Sequence, residues 1–160
     1  MTSLDARRFP PQTVADLMSR QVIAIEQSSS IAMVHSAMDA YRFRHLPVID
    51  ELGKVVGLLS QRDLLRAEPS TLAPDHGTQE EAFKATTKVD SIMHTDVVTI
   101  GPDEALSAGA ALLIERKIGS LPVVRKDGKL VGIVTETDYL RLVLGYLDGS
   151  IPPPSMKDPA

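Results

Sequence analysis

Two short segments of the sequence carry a hydroxyl residue and an acidic residue at the same spacing. They are Ser60-Gln61-Arg62-Asp63 and Thr135-Glu136-Thr137-Asp138. A hydroxyl followed three residues later by an acid predicts a capping box at the start of a helix. The same arrangement could also hold a nucleotide, because a helix N-terminus offers N–H groups to a phosphate and a carboxylate accepts hydrogen bonds from ribose hydroxyls. The spacing alone leaves both interpretations open.

The two segments belong to an internal repeat. When the sequence is displaced by 75 positions, Val14 to Arg66 aligns with Val89 to Arg141 without a gap. Met18 then aligns with Met93, and Leu46-Pro47-Val48 aligns with Leu121-Pro122-Val123. A single register over this length indicates a duplicated structural unit.

Each copy predicts a helical turn, a strand, a helix, a two-stranded hairpin and a second helix. The turns are expected at Val14–Met18 and Val89–Met93, the first strands at Val22–Ile25 and Val97–Ile100, the first helices after Ser28–Ser30 and from Pro102–Glu104, and the hairpin strands at Leu46–Ile49, Val55–Leu59, Leu121–Val124 and Leu130–Val134. The second helices should begin near Ser60 and Thr135. Inward positions of the first helices are expected at Ile31, Val34, Met38 and Tyr41 and at Leu106, Ala110 and Leu113.

A β-α-β-β-α unit leaves one face of its small sheet uncovered. The predicted fold class is therefore α/β, with tandem repeats packed with pseudo-twofold symmetry into one compact module. We expect residues 1–67 to form the first repeat with an N-terminal segment, 68–88 a linker with a short helix at Gln79–Ala85, 89–145 the second repeat, and 146–160 a flexible tail.

Composition excludes several classes of protein. The chain has no cysteine, so disulfides, thiolate catalysis and iron–sulfur clusters are excluded. The net charge of −4 and the scattered Lys and Arg residues disfavour nucleic acid as a partner. No apolar run approaches the roughly 20 residues of a membrane span, and no apolar signal core follows Met1, which predicts a cytoplasmic protein without a membrane partner. No nucleophile elbow or glycine-rich phosphate loop is present, so we expect no enzyme and no catalytic residues.

Histidines do not indicate a metal site. His35, His45, His76 and His94 are too dispersed for metal-ligand spacing, and His35 is expected to form a solvated pair with Asp39 on one helix.

The order Met, strand, helix, Leu-Pro-Val, glycine turn, Val-Gly and Ser/Thr-x-x-Asp resembles a CBS-domain pair, also called a Bateman module, from Val14 to about Leu144. The resemblance implies a regulatory module that binds AMP, ADP, ATP or S-adenosylmethionine in clefts between the repeats and acts in trans on an unknown target protein. It implies that Asp63 and Asp138 hold the ribose and that Ser60 and Thr135 face the phosphates. No cofactor is required, although a bound nucleotide can carry Mg²⁺. Further ligand-binding positions implied at the strand and helix starts are Val22, Ile23, Arg44, His45, Leu46, Pro47, Arg62, Val97, Val98, Ser120, Leu121 and Pro122.

The two copies differ where a phosphate would bind. Arg44, His45 and Arg62 of copy one align with Gly119, Ser120 and Thr137 of copy two. An arginine can grip a phosphate through two charge-assisted hydrogen bonds, so a phosphorylated nucleotide is expected to bind first in copy one. The alternative is that Arg44 and Arg62 are ordinary surface charges.

The final helix is apolar on nearly every side along Tyr139–Leu144. Such a helix is either fully buried in the core or covered by a second molecule, and members of the resembled family often dimerise through such helices. We therefore expect a homodimer. A dimerisation or scaffold module without any ligand is the alternative function.

Overall fold

The structure is a computed structural model that describes residues 10–69, 72 and 74–152. The helices are α1 (Val14–Leu17), α2 (Ile31–Tyr41), α3 (Gln61–Ala67), α4 (His76–Thr86), α5 (Leu106–Arg116) and α6 (Glu136–Leu147), with a 3-10 turn at Val89–Ser91; the strands are β1 (Ile25–Glu26), β2 (His45–Ile49), β3 (Val55–Ser60), β4 (Ser120–Val124) and β5 (Leu130–Thr135). Residues 1–9 of the predicted first repeat and 153–160 of the predicted tail lie outside the described residues.

The two repeats build sheets of the same plan. In copy one, β1 runs parallel to β2 and β2 runs antiparallel to β3. In copy two, β4 and β5 form a two-stranded sheet, and Ile100 makes one parallel bridge to Val123 in place of a first strand. The predicted α/β class with two repeats, each with a sheet and helices, is confirmed.

The chain divides into two compact units that do not follow the repeat boundary. The copy-one unit contains Ile23–Val98 and Asp127–Leu130, and the copy-two unit contains 10–22, Thr99–Lys126 and 131–152 of the described residues. Each unit therefore includes the first residues of the other repeat, here called its lead-in segment. Residues 89–98 lie in the copy-one unit, and residues 14–22 lie in the copy-two unit.

Close backbone approach fixes these lead-in segments. Met93 lies so near Gly57 that a Cβ there would be 2.4 Å from its sulfur, and Met18 lies equally near Gly132. A larger residue at either glycine would force the methionine side chain to move. The spacing shared by the two copies thus places a methionine under the second strand of each hairpin.

Each unit has an aliphatic core. Buried residues of the copy-one core are Ile25, Ile31, Val34, Met38, Leu46, Val48, Leu59, Leu64 and Val89. Those of the copy-two unit include Val14, Leu17, Met18, Ile100, Leu113, Leu121, Val123, Val134 and Leu142. Removal of these side chains from water is the main force that holds the hairpins against the helices.

The hairpin strands and the starts of the second helices lie where the sequence predicts them, but the first strands are shorter than predicted. Ser19 and His94 bridge to β5 and β3, whereas Ile25 and Ile100 pair with β2 and β4. The residues between these points cross from one strand to another, so they cannot pair continuously with either.

The predicted helical turn at Val89–Met93 is present as a 3-10 turn over Val89–Ser91. Three further expectations are corrected. Helix α5 begins at Leu106 after the N-cap Ala105, so Pro102–Glu104 precedes the helix instead of starting it. Tyr41 is 59% exposed at the last residue of α2, where its ring stacks on Phe43. His35 Nε2 lies 2.8 Å from Glu68 Oε1, a carboxylate beyond α3, so its partner is not Asp39.

The linker and the predicted C-terminal tail contain more helix than expected. Helix α4 covers His76–Thr86, and α6 continues to Leu147, inside the tail predicted from residue 146. Ile151 then turns back and is buried, with its N–H donating to the Gly145 carbonyl at 2.9 Å.

Candidate functional site

Site one, defined by Ser60, Asp63 and His94 in the copy-one unit, lies where β3 passes into α3. The Ser60 N–H donates to Asp63 Oδ2 at 2.8 Å, and the Ser60 hydroxyl donates to the same oxygen. The Asp63 N–H approaches Ser60 Oγ at 3.3 Å. These contacts form a complete capping box, so the capping interpretation is confirmed for this segment.

His94 contacts the other carboxylate oxygen of site one. Its Nε2 lies 2.8 Å from Asp63 Oδ1, and because an ionised carboxylate only accepts, the imidazole is the donor. The Asp63 side chain is 9% exposed, whereas that of His94 is 67% exposed. Both oxygens of Asp63 therefore accept hydrogen bonds.

The electrostatics of site one favour an ionised Asp63. Burial disfavours the charged form, but hydrogen bonds from the Ser60 side chain and backbone and from His94 outweigh it and lower the pKa of Asp63 below its usual value. The carboxylate is a strong acceptor across the neutral range.

Site two, defined by Thr135, Asp138, Ser19 and Ser120 in the copy-two unit, repeats the capping box. The Thr135 N–H and hydroxyl both donate to Asp138 Oδ2 at 2.8 Å. Asp138 Oδ1 lies 3.9 Å from Arg141 Nη1, too far for a hydrogen bond. Within the described part of the chain, no donor reaches Asp138 Oδ1.

A third capping box shows that this motif is not specific for ligands. The Thr13 N–H and hydroxyl donate to Asp16 Oδ2 at 2.9 and 3.1 Å at the start of α1. Since α1 was not a predicted site, capping is sufficient to explain the spacing of hydroxyl and acid. A binding role must come from what surrounds each box.

The strand beside each box carries a different polar residue in the two copies. His45 lies opposite Ser60 in the β2–β3 ladder, so both side chains share one face of the hairpin. Ser120 aligns with His45 and starts β4, beside the Gly119 carbonyl that accepts the Glu136 N–H at 3.1 Å. Ser120 is 1% exposed, and its hydroxyl has no hydrogen-bond partner among the described residues.

The predicted arginines lie beside site one. The Arg44 carbonyl accepts the Gln61 N–H at 2.9 Å, which places Arg44 next to the first turn of α3, and Arg62 is the second residue of that helix. Both residues are exposed, and neither forms an ion pair with another described residue.

The remaining predicted residues divide between the units. Ile23, Leu46, Pro47, Val97 and Val98 belong to the copy-one unit, whereas Val22, Leu121 and Pro122 belong to the copy-two unit. Leu46 and Leu121 are fully buried core residues, and Pro47 and Pro122 are also buried. Val22, Ile23, Val97 and Val98 are half-buried and retain exposed apolar surface.

Within the described ranges, no three His, Asp or Glu side chains are grouped as metal ligands would be. No helix there combines the length and apolar character needed to cross a membrane.

His94, like Ser19 at site two, is a site residue that the sequence did not predict. It lies 31 positions from Asp63 and comes from the lead-in segment of the other repeat. Its alignment with Ser19 marks a difference between the copies, but no local spacing connects it to the capping box.

Comparison with known proteins gives a consistent result. The sequence model of the CBS domain family matches residues 14–70 and 89–145 of this chain. A CBS domain-containing protein of Dictyostelium discoideum is 32% identical over 142 residues, which cover 89% of this chain and 97% of that protein.

Solved structures show the same similarity. The structure of CBSX2 in complex with AMP has 30% identity and a TM-score of 0.70, and covers 86% of this chain and 99% of that one. The CBS domain pair of protein MJ0100, in complex with 5′-methylthioadenosine and S-adenosyl-L-methionine, has 28% identity and a TM-score of 0.70, and covers 85% and 98%.

One similar protein carries an enzyme name. Homoserine O-acetyltransferase of Methanococcoides burtonii is 33% identical over 131 residues, but the chain spans only 24% of that protein. This match therefore gives the chain no catalytic activity.

Proposed function

The chain belongs to the CBS domain family, and we propose that it is a regulatory module that binds adenosine-containing nucleotides and acts in trans on a partner protein in the cytoplasm. The proposed ligands are AMP, ADP, ATP or S-adenosylmethionine, with Mg²⁺ on the phosphates where these are present. CBS domain pairs are regulatory and not catalytic, so we assign no catalytic residue.

The ligands of similar structures support this proposal. CBSX2 is bound to AMP and MJ0100 to 5′-methylthioadenosine and S-adenosyl-L-methionine, and each is matched over nearly its whole length. All three compounds contain adenosine. Adenine and ribose are therefore the parts of the ligand that we expect this chain to recognise.

The observation that carries the proposal is that the two carboxylate oxygens of Asp138, in site two, have different hydrogen-bond partners. Asp138 Oδ2 completes the capping box, and Oδ1 accepts no hydrogen bond from the described residues. A ribose hydroxyl can therefore donate to Oδ1 without breaking the helix cap. Capping and ligand binding are compatible roles of one carboxylate.

We assign the other contacts by position. Ser60 and Thr135 would face phosphates at the helix starts, where N–H groups favour anions. Arg44 and Arg62 would add positive charge at site one only, together with His45. The half-buried Val22, Ile23, Val97 and Val98 would flank adenine, while Leu46, Pro47, Leu121 and Pro122 would support these walls from the core.

Thermal unfolding with AMP, ADP, ATP, NADH, GTP and S-adenosylmethionine tests the proposal. A ligand present at a hundredfold its dissociation constant adds about 2.7 kcal/mol to the free energy of unfolding. For a chain of this size, that raises the melting temperature by roughly 5–10 °C. We expect such a shift with at least one adenosine compound and a smaller one with GTP.

A scaffold function is the second candidate, and one surface favours it. The outer face of α6 exposes Leu140, Val143, Leu144 and Leu147 by 49–81%. An exposed apolar face of this kind is typical of an interface, and we propose that it forms a homodimer. If no nucleotide changes the melting temperature, dimerisation through α6 becomes the principal function.

A further inference from the structure

Residues 19 and 94 occupy the same place beside the two capping boxes. His94 exchanges two backbone hydrogen bonds with Leu58, both 2.9 Å long, and Ser19 exchanges two with Ile133, of 2.9 and 3.0 Å. The methionine before each residue packs under the corresponding glycine at the same distance. The side chains at 19 and 94 therefore start from equivalent positions relative to Asp138 and Asp63.

The two side chains differ in reach. The imidazole of His94 extends to Asp63 Oδ1, whereas the shorter Ser19 makes no hydrogen bond to Asp138 among the described residues. Asp63 consequently has donors on both oxygens, and Asp138 has donors on Oδ2 only.

We propose that His94 determines which site takes an adenosine ribose first, because it occupies the carboxylate oxygen of site one that stays open in site two. The inference rests on the proposed function. A ribose hydroxyl at site one must compete with His94 for Asp63 Oδ1 or share that oxygen with it, while a ribose at site two meets no hydrogen-bond donor on Asp138 Oδ1 among the described residues. Site two is therefore the first site for the ribose.

Ser120 supports this order independently. Its hydroxyl is buried and unpartnered among the described residues, on the strand that runs beside Thr135. A buried polar atom without a partner is unfavourable and rare in folded proteins. Because this hydroxyl is fully buried, a ligand bound at site two would satisfy it only if the Ser120 side chain turned toward the site.

Phosphate and ribose favour different sites. Arg44 and Arg62 attract phosphate, so a phosphorylated ligand should bind first at site one, as expected from the sequence. They should not change the affinity of either site for a ribose without phosphate. A phosphate-free probe, 5′-methylthioadenosine, separates the two effects. Loss of one charge-assisted hydrogen bond at a partly exposed pair corresponds to about a five- to tenfold change in affinity.

Amide NMR of the full chain measures each site separately. We follow the backbone amides of Asp63 and Asp138 during titration with 5′-methylthioadenosine. In the wild type, the Asp138 signal should reach saturation at about five- to tenfold lower ligand concentration. His94→Ser should bring the Asp63 curve to within about threefold of the Asp138 curve, and Ser19→His should weaken site two about five- to tenfold.

Control variants exclude indirect effects. Both exchanged residues lie in the lead-in segments, and His94 is largely exposed, so loss of its contact with Asp63 should cost at most about 1 kcal/mol and lower the melting temperature of His94→Ser by no more than roughly 4 °C. Asp16→Ala removes a capping acid outside both sites and should change both titration curves by less than about twofold.

Three outcomes would overturn the inference. The first is an Asp63 signal that saturates before Asp138 in the wild type. The second is a His94→Ser variant whose Asp63 curve does not move. The third is the absence of any shift with 5′-methylthioadenosine in the wild type and in His94→Ser; if AMP, ADP, ATP and S-adenosylmethionine also give no shift, the proposed function is overturned as well.

Discussion

The contact between Tyr139 and Gly109 gives the sharpest test of how α6, which carries Asp138, is held on α5. A Cβ added to Gly109 would lie 2.3 Å from Tyr139 Oη and 3.4 Å from Tyr139 Cζ. The hydroxyl donates to the Leu106 carbonyl at 2.8 Å, and burial raises the pKa of Tyr139 to about 12, so it stays protonated. The first copy has Val34 and Leu64 at the aligned positions. Compared with copy one, copy two therefore has a smaller residue on its first helix and a larger one on its second helix.

Gly109→Ala should destabilise the protein. Alanine gains about 0.5–1 kcal/mol over glycine within a helix, but displacement of the tyrosine costs about 1–3 kcal/mol in packing and about 1 kcal/mol for the lost hydrogen bond. The net loss of about 1–3 kcal/mol corresponds to a melting temperature roughly 2–12 °C lower. Gly77→Ala is the matched control, because a Cβ at Gly77 in α4 has nothing within 4 Å. It should be neutral or slightly stabilising.

A double-mutant cycle with Tyr139→Phe identifies the cause. Removal of the hydroxyl leaves Cζ as the nearest tyrosine atom, at an ordinary contact distance, so Gly109→Ala should become neutral or stabilising in that background. Urea unfolding followed by circular dichroism measures all four proteins. If Gly109→Ala is as stable as the wild type while Tyr139 is intact, the proposed steric conflict is wrong.

Three other changes have defined outcomes. The pKa of Asp63 is lowered in the folded state, so its stabilising effect is fully present above about pH 4 and is lost as the pH falls through the folded-state pKa. The difference in melting temperature between the wild type and Asp63→Asn should therefore shrink below pH 4. A constant difference would contradict this. Leu144→Glu should reduce the mass measured by light scattering to that of a monomer, whereas Leu52→Glu, an equally exposed leucine in a turn, should not; equal behaviour of both would remove α6 as the interface. Lys117 follows the last residue of α5 in the left-handed conformation, with a φ of 53°, which glycine adopts more easily than lysine. Lys117→Gly should therefore raise the free energy of unfolding by about 1 kcal/mol. Unchanged urea denaturation would show that no strain exists there.

The sequence predicts the regular parts of each repeat because these parts follow local rules. Apolar alternation and a glycine turn define the hairpins, and a hydroxyl with an acid three residues later defines the helix starts. The same spacing left open whether the acid caps the helix or binds a ribose, because both roles place the same residue types at a helix start.

Long-range contacts explain what the sequence did not predict. The first strands are short because their backbone groups bond to two different strands, which no periodicity records. His94 reaches Asp63 only because the lead-in segment of one repeat packs in the unit of the other. The exposure of Leu144, in a helix that could equally have been buried, also depends on tertiary packing.

Titration calorimetry with AMP tests the central proposal most directly, because it compares the wild type with the Asp63→Ala/Asp138→Ala double variant. Hydrogen bonds to a charged acceptor contribute about 1.5–3 kcal/mol, so the double variant should bind AMP at least tenfold more weakly. Asp16→Ala loses the same kind of helix cap at α1 and should bind AMP as the wild type does. Equal AMP affinity in the double variant and the wild type, or no AMP binding to the wild type, would contradict the assignment of these aspartates to a nucleotide.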